Sequence, residues 1–111
     1  MVMRIVIGVF ALLFGGLHFA AGLTQFKSKD PAVRGFASAM TCGGICAACM
    51  AAAHLAGSNP NWMDALGVAT GCLLICAAAY ANGRRSGSFH PSHHIVRGAV
   101  AVLLVAGVLI W

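Results

Sequence analysis

The chain has 111 residues, 60% of them hydrophobic and 8% charged, whereas roughly a quarter of a typical soluble domain is charged. A soluble fold this small leaves too much of its chain facing water to hide so much apolar surface. Four membrane helices of about 20 residues each would use most of the length, which excludes a large extramembrane domain, a nucleotide-binding domain and a long catalytic loop.

The first apolar stretch runs from Met3 to about Leu23, and Lys27-Ser28-Lys29-Asp30-Pro31 closes it. Asp30 followed by Pro31 is a helix start, a capping carboxylate and then proline at the first helical position. The second stretch covers about Val33 to Ala56 and ends in the turn Gly57-Ser58-Asn59-Pro60-Asn61. The third runs from Met63 to Ala81. Asp64 is placed to cap it, and Asn82-Gly83 supplies the turn chemistry to end it. Arg84 to His94 is the longest polar segment, and the fourth stretch runs from Ile95 to Trp111 with Arg97 inside it. That arginine must snorkel to an interface. In hydrocarbon every backbone polar group pairs within its own segment, so the stretches read as helices. They lack the alternation of a barrel strand. The expected fold is all-α: a single transmembrane domain over residues 1–111, an integral membrane bundle of four helices at about 3–23, 33–56, 63–81 and 95–111.

Orientation follows from basic residues. Lys27, Lys29 and Arg34 flank the first loop, and Arg84, Arg85 and Arg97 flank the third; only Arg4 lies at the other end. The positive-inside rule places loops one and three in the cytoplasm and both termini on the non-cytoplasmic side. Trp62 and Trp111 then fall at the outer interface, Tyr80 and Phe26 at the inner one, where amphipathic rings settle. A bacterial inner membrane suits so short a bundle. Residues 1–22 have a competing reading as a cleaved signal peptide, with Arg4, an apolar run and the small residues Ala20-Ala21-Gly22. The net charge of +5 sits in short loops beside helices. It therefore speaks for orientation and contact with anionic lipid headgroups rather than nucleic acid, which would call for a basic helix or aromatic platform.

All five cysteines lie inside predicted helices, away from the loops where a disulfide framework would form. Cys42, Cys46 and Cys49 fall within about 60° of one another on helix two, and Cys72 with Cys76 forms an i, i+4 pair on helix three. Met50 and His54 extend the ladder from Cys46. Thiolate and thioether ligands select copper(I) and similar soft ions, so these seven residues are the candidate metal ligands. The surrounding alanines and glycines favour packing over metal, since cysteine is a small apolar residue and membrane helix interfaces favour small side chains. The adjacent cysteine pairs of small mercury-transport proteins are absent, and so is the CxxC of a thiol-redox site.

His18 lies within helix one, where an ionisable group marks a site or a polar contact. An interhelical hydrogen bond from a neutral ring is the leading reading, because no second histidine matches its depth; haem ligation or a proton relay is the alternative. His90, His93 and His94 cluster beside arginines, which disfavours a second cation and favours a solvated loop titrating near neutral pH. Gly67 and Gly71 form a GxxxG in helix three, and Gly43, Ala47 and Ala51 repeat small residues in helix two. Such faces serve close crossings within the chain, with a membrane-protein partner or in a homo-oligomer.

The leading functional expectation is a non-enzymatic accessory, assembly or scaffold component, because Asp30 and Asp64 are the only acids, both sit at helix starts, and no nucleophile has a partner base. Soft-metal transport or binding is the first alternative. A haem-carrying subunit of an oxidoreductase is the second. Arg4-x-x-x-Gly8 with Gly15-Gly16-x-His18-Phe19 is similar to the first helix of small DoxX-type membrane proteins, over that helix alone, and implies no activity.

Overall fold

The computed structural model describes residues 1–111 as four α-helices: α1 (Val2–Gln25), α2 (Pro31–Ala56), α3 (Asn61–Ser86) and α4 (Pro91–Ile110). There are no strands. Each helix is long and apolar enough to cross a membrane. The molecule is 44 Å along its longest axis, comparable with a bilayer of about 40–45 Å including its headgroup regions.

Local chemistry sets the helix ends. The Asp30 side chain accepts a hydrogen bond from the Ala32 amide at 2.9 Å, and Pro31 opens α2 as expected. Gly57 closes α2 in the left-handed region, φ +68°, where only glycine sits without strain. Two boundaries differ from the sequence expectation. Helix α3 does not stop at Asn82-Gly83 but continues to Ser86, and Gly87, at φ +72°, ends it. The physical reason is tertiary. A Cβ on Gly83 would lie 3.2 Å from the His94 Nε2, so this glycine admits α4 at close range instead of ending α3. Helix α4 also begins one turn earlier than expected, at Pro91, so His93 and His94 are helical and Arg97 lies on its second turn.

Consecutive helices run antiparallel. Arg4, at the start of α1, meets the end of α2, and Ile7 meets Gly107 near the end of α4. Both chain ends and the α2–α3 turn therefore share one end of the bundle, called here the turn end. The α1–α2 and α3–α4 loops share the other, the loop end. Helix packs on helix in chain order, and α1 touches α4 far less than each touches its neighbour in sequence.

Backbone contact rather than bulky side chains holds the crossings together. A Cβ on Gly71 would lie 2.6 Å from the Gly43 carbonyl oxygen and 2.7 Å from the Ala47 amide. The GxxxG face of α3 and the small face of α2 thus close on each other inside the chain. On α1, Gly8, Gly15 and Gly22 recur every seven residues, and with Ala11 they are its buried positions. A Cβ on Gly15 would lie 2.7 Å from the Ala48 amide nitrogen and 2.8 Å from the Gly44 carbonyl oxygen. This seven-residue spacing keeps one face towards a partner helix crossing at a shallow angle.

Candidate functional site

Polar groups gather at the two ends of the bundle, with cysteines between them. At the turn end, His54 on the last turn of α2 and Asp64 on the first turn of α3 are both fully buried. The short turn brings them together, with His54 Nδ1 3.6 Å from Asp64 Oδ2. That is beyond hydrogen-bond range, and neither imidazole nitrogen nor this carboxylate oxygen has a hydrogen-bond partner. Asn59 donates from its side-chain amide to Asp64 Oδ1 at 2.9 Å. Arg4 crosses from α1 and donates from Nε to the His54 carbonyl at 2.8 Å. A cation on the last turn of a helix satisfies a free carbonyl and complements the helix dipole. Three helices are thus tied at one point by four polar residues.

The sequence reading assigned two of these residues differently. Asp64 was expected to cap α3; instead Pro60 occupies the cap position and makes no side-chain cap, while Asp64 points into the bundle. His54, the outer rung of the expected metal ladder, faces Asp64. The available signal was that Arg4, His54 and one of only two acids all map to the same end.

At the loop end, α1 and α4 diverge and leave a cleft of about 550 Å³ lined by Phe14, His18, Ser92, His93 and Arg97 among others. His18 is half-buried, and its Nδ1 donates to the Phe14 carbonyl at 2.7 Å. The expected interhelical hydrogen bond is therefore an intrahelical one. It fixes the ring and leaves Nε2 free, the arrangement that orients a ligating histidine. His93 lines the same cleft. Arg97 has one polar contact, 3.5 Å from Nη1 to His94 Nδ1. Beside the cleft, His94 stacks on Phe89 with ring centroids 4.7 Å apart, Tyr80 meets both rings edge-on, and Arg84 lies 5.5 Å over the Phe89 ring. The expected solvated histidine loop is in fact helical at His93 and His94, with His94 half-buried in this aromatic group.

Asp30 is tied to the far end of α3. Arg85 donates to it from Nε at 3.1 Å and from Nη2 at 3.3 Å. This guanidinium, with the Ala32 amide, holds the exposed Asp30 carboxyl below the usual carboxylate range. Lys27, Lys29, Arg34 and Arg84 lie at the same end and form no salt bridge.

The cysteines are spread over different surroundings. Cys46 faces α3 and donates to the Gly67 carbonyl at 3.3 Å, while Cys42 and Cys49 are exposed at the flanks of the same face. Cys72 is buried in the core, and with Cys76 it lines a groove between α3 and α4. Met50 packs on Gly67 and the core cluster. No three histidine, cysteine or acidic side chains form a group able to hold a metal ion. No family model matches the chain, nor does any characterised protein or solved structure.

Proposed function

We propose that this is a multi-pass protein of a bacterial inner membrane, with both termini on the non-cytoplasmic side, acting as a non-enzymatic accessory, assembly or scaffold component. One observation carries this reading: an apolar groove opens between α3 and α4, away from the closed crossings of α2. The crossings of α2 are closed backbone to backbone, while α4 and the outer face of α3 turn large apolar side chains outward around a groove of about 580 Å³. Leu73 (71% exposed) and Val102 (68%) line it with the small residues Ala69, Gly98 and Ala106. Small residues beside large exposed ones suit a helix of another membrane protein. Two further facts agree. Both acids are engaged structurally: Asp30 joins the start of α2 to the end of α3 through Arg85, and Asp64 holds Asn59 of the α2–α3 turn beside His54. The basic residues collect at the loop end, as expected of a cytoplasmic side.

The test places a photocrosslinking amino acid at Leu73 or at Val102 in cells. The expected result is one protein adduct of defined mass from each position; adducts to lipid alone would remove the scaffold reading. Elemental analysis of the same purified chain under reducing conditions addresses the metal alternative. Near-stoichiometric copper or zinc, lost when all five cysteines are changed to serine, would move the function to soft-metal handling. A Soret band lost in His18→Ala would move it to haem.

A further inference from the structure

The cleft between α1 and α4 has a polar mouth and an apolar length. Its mouth, at the loop end, is lined by His18, Ser92, His93 and Arg97. Past Phe14 and Val100, which border both parts, it continues for about 490 Å³ towards the turn end with only apolar side chains, including Phe10, Leu13 and Leu103. It closes where Ile7 seals onto Gly107: a Cβ there would lie 2.8 Å from the Ile7 Cδ1.

His18 lies seven residues inside the end of α1 and Arg97 six residues inside the start of α4, each about 10 Å from its helix end at 1.5 Å per residue, a depth from which an arginine head snorkels to the loop-end interface. From His18 to Ile7 is a further eleven residues along α1, about 16 Å, so the apolar length runs through the middle of the bundle towards the turn end.

The charge of the mouth is uncompensated. The one hydrogen-bond partner of Arg97 is His94, a neutral or cationic ring and not an anion. Of the two carboxylates, Asp30 is engaged by Arg85, and Asp64 is buried at the opposite end. A guanidinium held partly inside a helix bundle with no anion of its own is a site for one.

We propose that this cleft binds an anionic glycerophospholipid of the loop-end leaflet, its phosphate at Arg97 and His93 and an acyl chain along Phe10, Leu13 and Leu103. The inference rests on the reading of the four helices as membrane spans. It differs from the general attraction of basic loops to anionic bilayers, which Lys27, Lys29 and Arg84 supply without any cleft. Arg97 presents a planar fork to phosphate oxygens, Ser92 adds a hydroxyl donor, and the apolar length offers one chain a continuous apolar track.

The experiment is native mass spectrometry of the full chain released from nanodiscs of phosphatidylglycerol and phosphatidylcholine in equal amounts. The expected parent spectrum shows one retained phosphatidylglycerol. Arg97→Gln lowers the preference for phosphatidylglycerol about tenfold, the scale of one lost charge-assisted contact. Leu13→Trp, which fills the apolar length, lowers retention of both lipids with the helices intact. Lys27→Gln with Lys29→Gln leaves the adduct in place. Equal retention of the two lipids by the parent, an unchanged preference in Arg97→Gln, or a loss caused equally by the lysine changes would overturn the proposal. So would a neutral isoprenoid found in the cleft instead. Flotation with phosphatidylcholine liposomes separates the two levels. A chain that floats without headgroup preference removes the cleft assignment alone, whereas a chain that does not float removes the membrane reading as well.

Discussion

At the residue scale, few charged groups reside in the bundle, and most of those with partners tie one helix to another. Asp64 and His54 are the deepest pair, and neither sees water. Removing one member of a buried pair leaves the other without compensation, which is costlier than losing the attraction itself. Asp64→Ala leaves Asn59 without its acceptor and is expected to destabilise the bundle by about 1–3 kcal/mol, read as the shift in a denaturation midpoint in detergent micelles. Loss of less than a tenth of that would show that the pair contributes nothing. The exposed Asp30–Arg85 pair behaves differently. The folded chain lowers the Asp30 pKa, so its contribution is fully present above the unfolded value of about 3.9. It fades as pH falls through the lower folded value. In Arg85→Ala the Asp30 carboxyl should titrate closer to that ordinary value, which carbon-detected NMR of the side chain would follow. An unchanged midpoint would mean that the Ala32 amide alone sets the shift.

At the element scale, the helices associate through what they lack. Gly44 sits on α2 where a Cβ would lie 2.7 Å from the Gly15 carbonyl oxygen and 2.8 Å from the Phe19 Cα. These are backbone atoms that cannot step aside singly. Gly44→Val must force α1 from α2, and overpacking of this kind costs about 1–3 kcal/mol. Gly16 is the control: it lies on the same helix as Gly15 but has open space where its Cβ would be. Gly16→Leu should unfold at the parent's midpoint or above it, since glycine is a poor helix former. Equal losses from both substitutions would mean that close approach to α1 does not set the cost at Gly44. Much of this scale is visible in the chain. The Asp30-Pro31 start, the Gly57 turn and the small faces of α2 and α3 all follow from residue type and spacing. The Gly8, Gly15, Gly22 repeat is just as regular, but amid so many glycines and alanines only the crossing with α2 shows which positions are buried.

At the scale of the whole molecule, the up-and-down order of four helices gives the bundle two unlike ends, with grooves open on both sides of α4. The turn end is closed by Arg4, His54, Asn59 and Asp64; the loop end is cationic and opens into the α1–α4 cleft. Composition and hydropathy by themselves determine four apolar helices, because 60% hydrophobic content leaves no other way to satisfy both backbone and side chains. The basic loops likewise assign one end a charge. The tertiary structure alone decides which polar residues meet. His54 and Asp64 are ten positions apart on different helices, and a capping position and a buried one differ by less than a turn at a helix start. The run from Asn82 to His94 shows the same limit. Its composition is that of a loop, yet most of it is helix, because packing of α4 against Gly83 and of Tyr80 against Phe89 and His94 outweighs local turn preference. Local chemistry writes the ends and the apolar lengths; the close approach of helices, which is non-local, selects the partners.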